Sequence, residues 1–127
     1  MFTELNLNPK GWKTQDCVIR ACAKATNKTW DDTFKELCEI AFKKKRLPND
    51  EKVFDKFLLN NGFTYCKQMK IDGKPLNVYL LVNYYGKDYI LVIHTRRHLT
   101  CSVQGTVYDI WNTLNEKTGY YYIKRID

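Results

Sequence analysis

Hydrophobic residues recur with a helical period of about 3.6 residues in three segments of the first half of the chain. The first segment covers about residues 16–25 and is closed by Asn27. The second begins at Thr29, where Asp32 completes a variant of the capping box. The third covers residues 48–62 and ends in Asn-Asn-Gly. The pattern therefore predicts three amphipathic helices.

The last third of the chain changes to short apolar runs that are typical of strands. Residues 76–85 fit either a short helix capped by Asn77 or a hairpin arm that turns at Gly86, and we favour the helix. The strands are predicted at residues 89–94, 98–103, 106–111 and 119–126. Helices followed by an antiparallel sheet indicate an α+β fold. No repeat or linker interrupts residues 1–127, so we expect one domain.

Composition narrows the class of protein. The 44% apolar content is that of a globular chain, and no stretch is apolar for long enough to cross a bilayer. The N-terminus has no apolar core of a secretory signal, so we expect a cytoplasmic protein, in the host cytoplasm if a phage encodes it. We accordingly expect reduced thiols and no membrane partner.

The five cysteines fit no zinc-binding spacing, and we expect neither a metal nor a cofactor. A formal charge of +7 could favour an anionic partner, although the run at residues 43–46 falls at a predicted helix end, where basic residues suit the helix dipole. Aromatic and basic residues do not interleave as a stacking platform requires, which argues against nucleic acid as the partner.

Cys17 begins the first predicted helix. Unpaired backbone N–H groups and the helix dipole favour a thiolate there, and the N–H of Cys17 could also bind an oxyanion. Position alone favours a buried structural cysteine over a nucleophile. Its interpretation depends on which side chains meet it.

A hairpin that turns at Gln104 and Gly105 supplies the rest of a catalytic constellation. In that register Thr100 lies opposite Asp109, and His98 shares its face of the sheet with Asp109. A carboxylate there can accept a hydrogen bond from the imidazole and leave the other ring nitrogen to meet a thiol. Packing the helical layer on this face would then bring Cys17 to His98.

Each residue of this pair, His98 as the general base and Asp109 as the residue that orients it, has one alternative in the sequence. His94 is the other histidine, but no carboxylate is placed beside it by an obvious register. Asn112 could replace Asp109, although strand parity directs it to the opposite face. A surface histidine beside a strand-edge carboxylate is the non-catalytic reading of the same pair.

The motifs DCVIRACAKATNKTWDD and HLTCSVQGTVYDIWN resemble those of small papain-like cysteine peptidases of phages and bacteria. The order of motifs is similar to that of the peptidases that trim bacteriocin leaders. The resemblance implies a papain-like fold, with N-terminal helices packed on a C-terminal antiparallel sheet. It also implies a triad of Cys17 as nucleophile, His98 as base and Asp109 as the orienting residue.

Other residues have weaker assignments. Papain-like enzymes usually carry a Gln oxyanion donor several residues before the Cys, whereas Gln15 stands only two residues before it. Thr14 and Asn8 are weaker candidates for that donor, and Val18 stands where the leader-trimming group commonly has Gly. The candidates for substrate binding are Trp12, Arg20 and Trp111. Arg20 could stabilise the thiolate, hold a substrate carboxylate or form a surface salt bridge, and Trp111 could shield the His–Asp bond.

The sequence thus predicts a cysteine hydrolase, a peptidase, isopeptidase or amidase, that acts on a peptide or protein through an acyl-enzyme. Transfer of the acyl group to an amine is a variant of the same chemistry. The alternative is a non-catalytic binding or inhibitor module on this fold, whose basic surface contacts a host protein or nucleic acid.

Overall fold

The computed structural model describes all residues from Met1 to Asp127. Its four helices are α1 (Cys17–Thr26), α2 (Trp30–Lys44), α3 (Glu51–Asn60) and α4 (Val78–Tyr85). The predicted caps are confirmed for α2, whose Thr29 side chain accepts from the N–H of Asp32, and for α4, whose Asn77 accepts from the N–H of Leu80. The segment 76–85, ambiguous in sequence, therefore contains the helix that we favoured.

Eight short strands accompany the helices: β1 (Phe2–Glu4), β2 (Thr64–Cys66), β3 (Lys70–Ile71), β4 (Lys74–Pro75), β5 (Tyr89–Thr95), β6 (His98–Val103), β7 (Thr106–Asp109) and β8 (Tyr121–Arg125). Six of them form one sheet in the order β1-β7-β6-β5-β8-β2, and β3 and β4 form a separate hairpin. The four strands expected from sequence are present, with β7 and β8 shorter than expected.

The expectation of a purely antiparallel sheet was wrong. The N-terminal β1 pairs in parallel with β7 and makes the sheet mixed. A strand of three residues has too few side chains to show alternation, so β1 and β2 gave no clear signal in the sequence. The coarse α+β class is confirmed.

The β6–β7 register is the one that the hairpin turn predicted, with Val103 opposite Thr106. Gln104 and Gly105 form the turn at φ values of 52° and 81°. Positive φ at both turn residues matches the twist of the flanking strands. This turn determines where His98 and Asp109 lie relative to each other.

The sheet has a hydrophobic core on each face. One core joins α1, α2 and α3 to Val92, Leu99 and Cys101, and the other joins α4 to Leu91, Ile93 and Val107. Leu99 and Cys101, rather than His98 and Thr100, therefore lie under the three N-terminal helices. No helix combines the length and the apolarity that a membrane span requires.

Candidate active site

Cys17 is the first residue of α1 and is half-buried. Asp16 occupies the N-cap position, but its side chain makes no hydrogen bond to the first turn. The backbone N–H groups at the start of α1 are consequently left for the thiolate or for a ligand, together with the positive end of the helix dipole. This local environment favours negative charge at the Cys17 sulfur.

His98 and Asp109 form a buried pair. The Nε2 of His98 lies 2.7 Å from Oδ2 of Asp109, and both side chains are almost fully excluded from solvent. Because Asp109 takes Nε2, the other ring nitrogen, Nδ1, is the one left to face Cys17. The backbone N–H of Ile110 also donates to Asp109, at 2.8 Å, and fixes its carboxylate.

The three groups shift one another's protonation. Burial alone would raise the pKa of the Cys17 thiol, but hydrogen bonds from His98 and from the backbone of Leu99, with the charges of His98 and Arg20, lower it below its ordinary value. Burial opposes charge on His98 as well, yet Asp109 and Cys17 together raise its pKa from 6.5 to about 9. Burial would raise the pKa of Asp109, which its hydrogen bond and attraction to His98 keep below the usual value. The shifts favour a thiolate–imidazolium pair.

Cys17 and His98 meet in a different way from the one expected. We expected the helices to pack on the sheet face that carries His98 and Asp109, and this was wrong. Side-chain alternation along β6 directs Leu99 and Cys101 to the helices instead. His98 is the first residue of β6, and Asp109 is the last residue of β7. The contact therefore forms at the strand ends, where β6 begins beside the N-terminus of α1.

Arg20 links Asp109 to Asp16, the N-cap residue of α1. Its Nε donates to Oδ1 of Asp16 at 2.7 Å, and its Nη1 donates to Oδ1 of Asp109 at 3.0 Å. The side chain is only 7% exposed, so the expected surface salt bridge is wrong. With its Nε and Nη1 bonded to internal carboxylates, Arg20 belongs to a buried network, although it also lines the cleft, and its role toward a substrate carboxylate stays a prediction. Its contribution to the lowered pKa of Cys17 agrees with the third assignment, stabilisation of the thiolate.

Asp16 extends this hydrogen-bond network away from Cys17 and His98. Its Oδ2 accepts from Nδ2 of Asn8 at 3.1 Å and from Nε1 of Trp30 at 2.9 Å. Asn8 thus holds Asp16 and does not line the cleft, so the structure gives no support to Asn8 as an oxyanion donor. Burial would raise the pKa of Asp16, but these donors and Arg20 lower it, so a charged carboxylate persists.

Cys17 and His98 open onto a cleft of about 580 Å³. Thr14 and Gln15 line its rim, so both remain in reach of a ligand at Cys17, and Trp111 also lines it. The rings of Trp111 and His98 lie 4.2 Å apart between centroids, as the predicted shielding role requires. Because Trp111 is 44% exposed, one side of it remains free to contact a substrate.

Two further candidates lie outside the cleft. Trp12 is 66% exposed and does not line the cleft, so its substrate-binding role has no support from the structure and stays a prediction. Asn112 accepts a hydrogen bond from the N–H of Leu114 and lies exposed after β7, whereas Asp109 holds His98. Asp109 was therefore the better choice of orienting residue.

Several residues of the site escaped the sequence analysis. The sequence assigned Asp16 no role beyond its place in the motif, and nothing distinguished Tyr120 from the two tyrosines that follow it. Leu99 could not be recognised because its backbone N–H, not its side chain, acts on Cys17. Glu51 and Phe54 line the cleft from α3, although they lie more than thirty residues from Cys17. Only the packing of α3 beside the strand ends brings these side chains to the site.

The remaining cysteines lie outside the cleft. Cys22 and Cys101 are buried, and burial raises the pKa of the Cys101 thiol to about 12. All five are free thiols, and no three His, Cys, Asp or Glu side chains are grouped to hold a metal ion.

Comparisons of the chain with protein-family models, with curated proteins and with solved structures found no match.

Proposed function

We propose that the protein is a cysteine hydrolase of papain-like type that cleaves an amide bond through an acyl-enzyme on Cys17. The observation that carries the proposal is the hydrogen-bonded Asp109–His98 pair in the same cleft as a thiol at a helix N-terminus, whose pKa His98 lowers. Buried structural cysteines have raised thiol pKa values, as Cys101 does. Cys17 departs from that behaviour in the direction that a nucleophile requires.

The chemistry would begin from the thiolate–imidazolium pair. The Cys17 sulfur attacks the carbonyl carbon, and backbone N–H groups at the start of α1 stabilise the oxyanion. His98 gives its proton to the leaving nitrogen as the carbon–nitrogen bond breaks. His98 then takes a proton from water, whose oxygen attacks the thioester and releases the carboxylic acid and Cys17. Asp109 keeps the imidazole oriented throughout.

The cleft volume of about 580 Å³ suits a peptide or another amide-containing molecule of similar size. The mixed lining of aromatic, apolar and polar side chains is typical of a substrate site. The substrate class in this proposal is therefore a peptide, an isopeptide or a related amide.

The test is the rate of iodoacetamide labelling at each cysteine as a function of pH, measured by peptide mass spectrometry. At pH 6.5 we expect Cys17 to label at least about tenfold faster than a free thiol, because an ordinary thiol of pKa about 8.5 is mostly protonated there. Cys38 and Cys66, which are also partly exposed, serve as internal comparisons. In His98→Ala the advantage of Cys17 should disappear.

A Cys17 that labels at the same rate as Cys38 and Cys66, with or without His98, would sink the catalytic proposal. In that case a binding module becomes the better hypothesis, and Cys17→Ser should leave its function unchanged. If Cys17 is reactive, hydrolysis of peptide amides by the native protein, and its loss in Cys17→Ser, is the confirming measurement.

A further inference from the structure

The cleft extends from His98 toward the N-terminus of α3. Because β5 lies between β6 and β8, the lining passes from His98 on β6 to His94 at the end of β5 and then to Tyr120, just before β8. The N–H of His94 donates to the carbonyl of Tyr120 at 3.0 Å, which fixes this order. Glu51 and Phe54, one turn apart on α3, complete the lining beyond Tyr120.

The wall of this part of the cleft is aromatic and uncharged. The rings of His94 and Tyr120 stack with centroids 4.5 Å apart and planes within 7°. A Cβ at Gly119 would come within 3.3 Å of the His94 carbonyl and 3.4 Å of its Nδ1, so glycine permits the close approach. Burial lowers the pKa of His94, which keeps its ring neutral near pH 7. A flat aromatic wall of this kind packs well against an extended side chain.

Glu51 places a carboxylate in the same part of the cleft. It is exposed and forms no salt bridge with any Lys, Arg or His. Its place in the first turn of α3 stabilises its negative charge. Glu51 and Tyr120 line the same cleft, and burial and the charge of Glu51 raise the pKa of Tyr120.

Apart from Cys17 and His98, the other charged side chains of the cleft are basic. Arg20 is paired with Asp16 and Asp109. Arg97 lies in the turn between β5 and β6, beside His98 in the chain. Glu51 is thus the one acidic side chain of the lining, which it shares with the stacked His94 and Tyr120 rings.

We propose that Glu51, Phe54, His94 and Tyr120 form a subsite for a lysine or arginine side chain of the substrate, within two residues of the scissile bond on its acyl side. The methylene stem lies along the aromatic wall, and the ammonium or guanidinium group pairs with Glu51. The acyl part of the substrate stays attached to Cys17 after the first step, so the cleft must hold it while water arrives. The proposal rests on the cysteine hydrolase function proposed above.

The test uses short peptidyl chloromethyl ketones that alkylate Cys17, with lysine, norleucine or glutamate at the first or second residue before the electrophile. The second-order rate of Cys17 modification is measured by intact mass for the native protein, Glu51→Gln and the control Glu39→Gln. Glu39 is an exposed residue of α2 outside the cleft, so its substitution changes net charge equally. At one of the two positions we expect lysine to react about tenfold faster than norleucine, and glutamate to react slowest.

Glu51→Gln should remove the advantage of lysine over norleucine, Glu39→Gln should retain it, and Glu51→Lys should make glutamate the preferred residue. Iodoacetamide, which is too small to reach the subsite, separates the two proposals. If iodoacetamide labels Cys17 rapidly but lysine has no advantage, or keeps it in Glu51→Gln, the subsite is wrong and the hydrolase proposal stands. If iodoacetamide finds Cys17 unreactive, the hydrolase proposal fails and the subsite fails with it.

Discussion

Arg20 is the residue on which most of the buried charge in the site depends. Its guanidinium lies between Asp16 and Asp109, and all three side chains are nearly excluded from water. Buried ions are tolerated when each is paired and hydrogen-bonded, and removal of one partner leaves the others without compensation. The planar guanidinium can donate to two carboxylates at once, which a lysine ammonium does less well.

We expect Arg20→Met to lower the free energy of unfolding by about 3–5 kcal/mol, since two buried carboxylates lose their counter-charge. Arg20→Lys should fall between the native protein and Arg20→Met, because it keeps the charge and loses the fork. The measurement is urea unfolding followed by circular dichroism. In folded Arg20→Lys, labelling of Cys17 should also require a higher pH, because Arg20 contributes to its lowered thiol pKa.

Arg46→Met is the matched control. Arg46 pairs with Asp50 at 3.2 Å on the surface, with side chains 48% and 30% exposed. Loss of that pair should lower the free energy of unfolding far less than Arg20→Met does, because water screens an exposed pair. Equal losses for Arg20→Met and Arg46→Met would show that the buried network contributes no more than an exposed pair.

At the scale of elements, the β6–β7 hairpin aligns the His98 imidazole with the Asp109 carboxylate. Its two turn residues both adopt positive φ, but only Gly105 does so without cost. Gln104 carries a Cβ into the left-handed region, where asparagine is better tolerated. The hairpin therefore retains a small strain at a position outside the cleft.

Gln104→Asn should raise the free energy of unfolding by about 0.5 kcal/mol, because Asn-Gly is the preferred pair for this turn. Gly105→Ala should lower it by about 1 kcal/mol, since the new Cβ meets an unfavourable φ of 81°. Thermal unfolding of both variants provides the measurement. Cys17 labelling in Gln104→Asn should match the native protein, and a loss of stability in that variant would contradict the turn assignment.

At the scale of the molecule, the site links folding stability to pH. The pKa of His98 is raised from 6.5 to about 9 on folding, so the native state holds a proton that the unfolded chain releases between these values. Stability from His98 is fully present below pH 6.5 and is lost as pH rises toward 9. Cys17 acts in the opposite sense, because its lowered thiol pKa makes the native state release a proton that the unfolded chain keeps up to its ordinary pKa near 9. Asp16 and Asp109 also have lowered pKa values and lose their contribution as pH falls through the acidic range below 3.8.

The gain at Cys17 offsets the loss at His98, so stability should change by less than about 1 kcal/mol between pH 6.5 and pH 9. Urea unfolding at a series of pH values measures this dependence. Cys17→Ser, which leaves His98 to titrate without the thiol, should lose about 1–3 kcal/mol over the same range. A flat profile in Cys17→Ser as well would contradict the raised pKa of His98 in the native state.

Interactions between residues close in sequence made the helices and the β6–β7 hairpin predictable. The periodicity of apolar positions, the caps at Thr29 and Asn77 and the Gln104-Gly105 turn fixed the three long helices, α4 and the β6–β7 register. These features depend on interactions between near neighbours, which a sequence displays directly. The pairing of His98 with Asp109 followed from the hairpin for the same reason.

The alternation of side chains along β6 predicted part of the site only. It placed His98 and Asp109 on one face of the sheet, but it did not predict which face the helices would cover. The parallel pairing of β1 with β7 joins residues about one hundred positions apart, and its three residues carry no period. Strand pairing at that distance is decided by the packing of the whole sheet.

The sequence by itself determined the helices, the antiparallel hairpin and the candidate triad, because each arises from short-range periodicity, capping or turn geometry. Only the tertiary structure decided that Arg20 is buried between Asp16 and Asp109, that Trp12 lies away from the cleft, and that Glu51 and Tyr120 lie in it. These placements follow from how α1 and α3 pack against the strand ends. Such packing depends on the fit of many side chains at once, and no single segment of the chain encodes it.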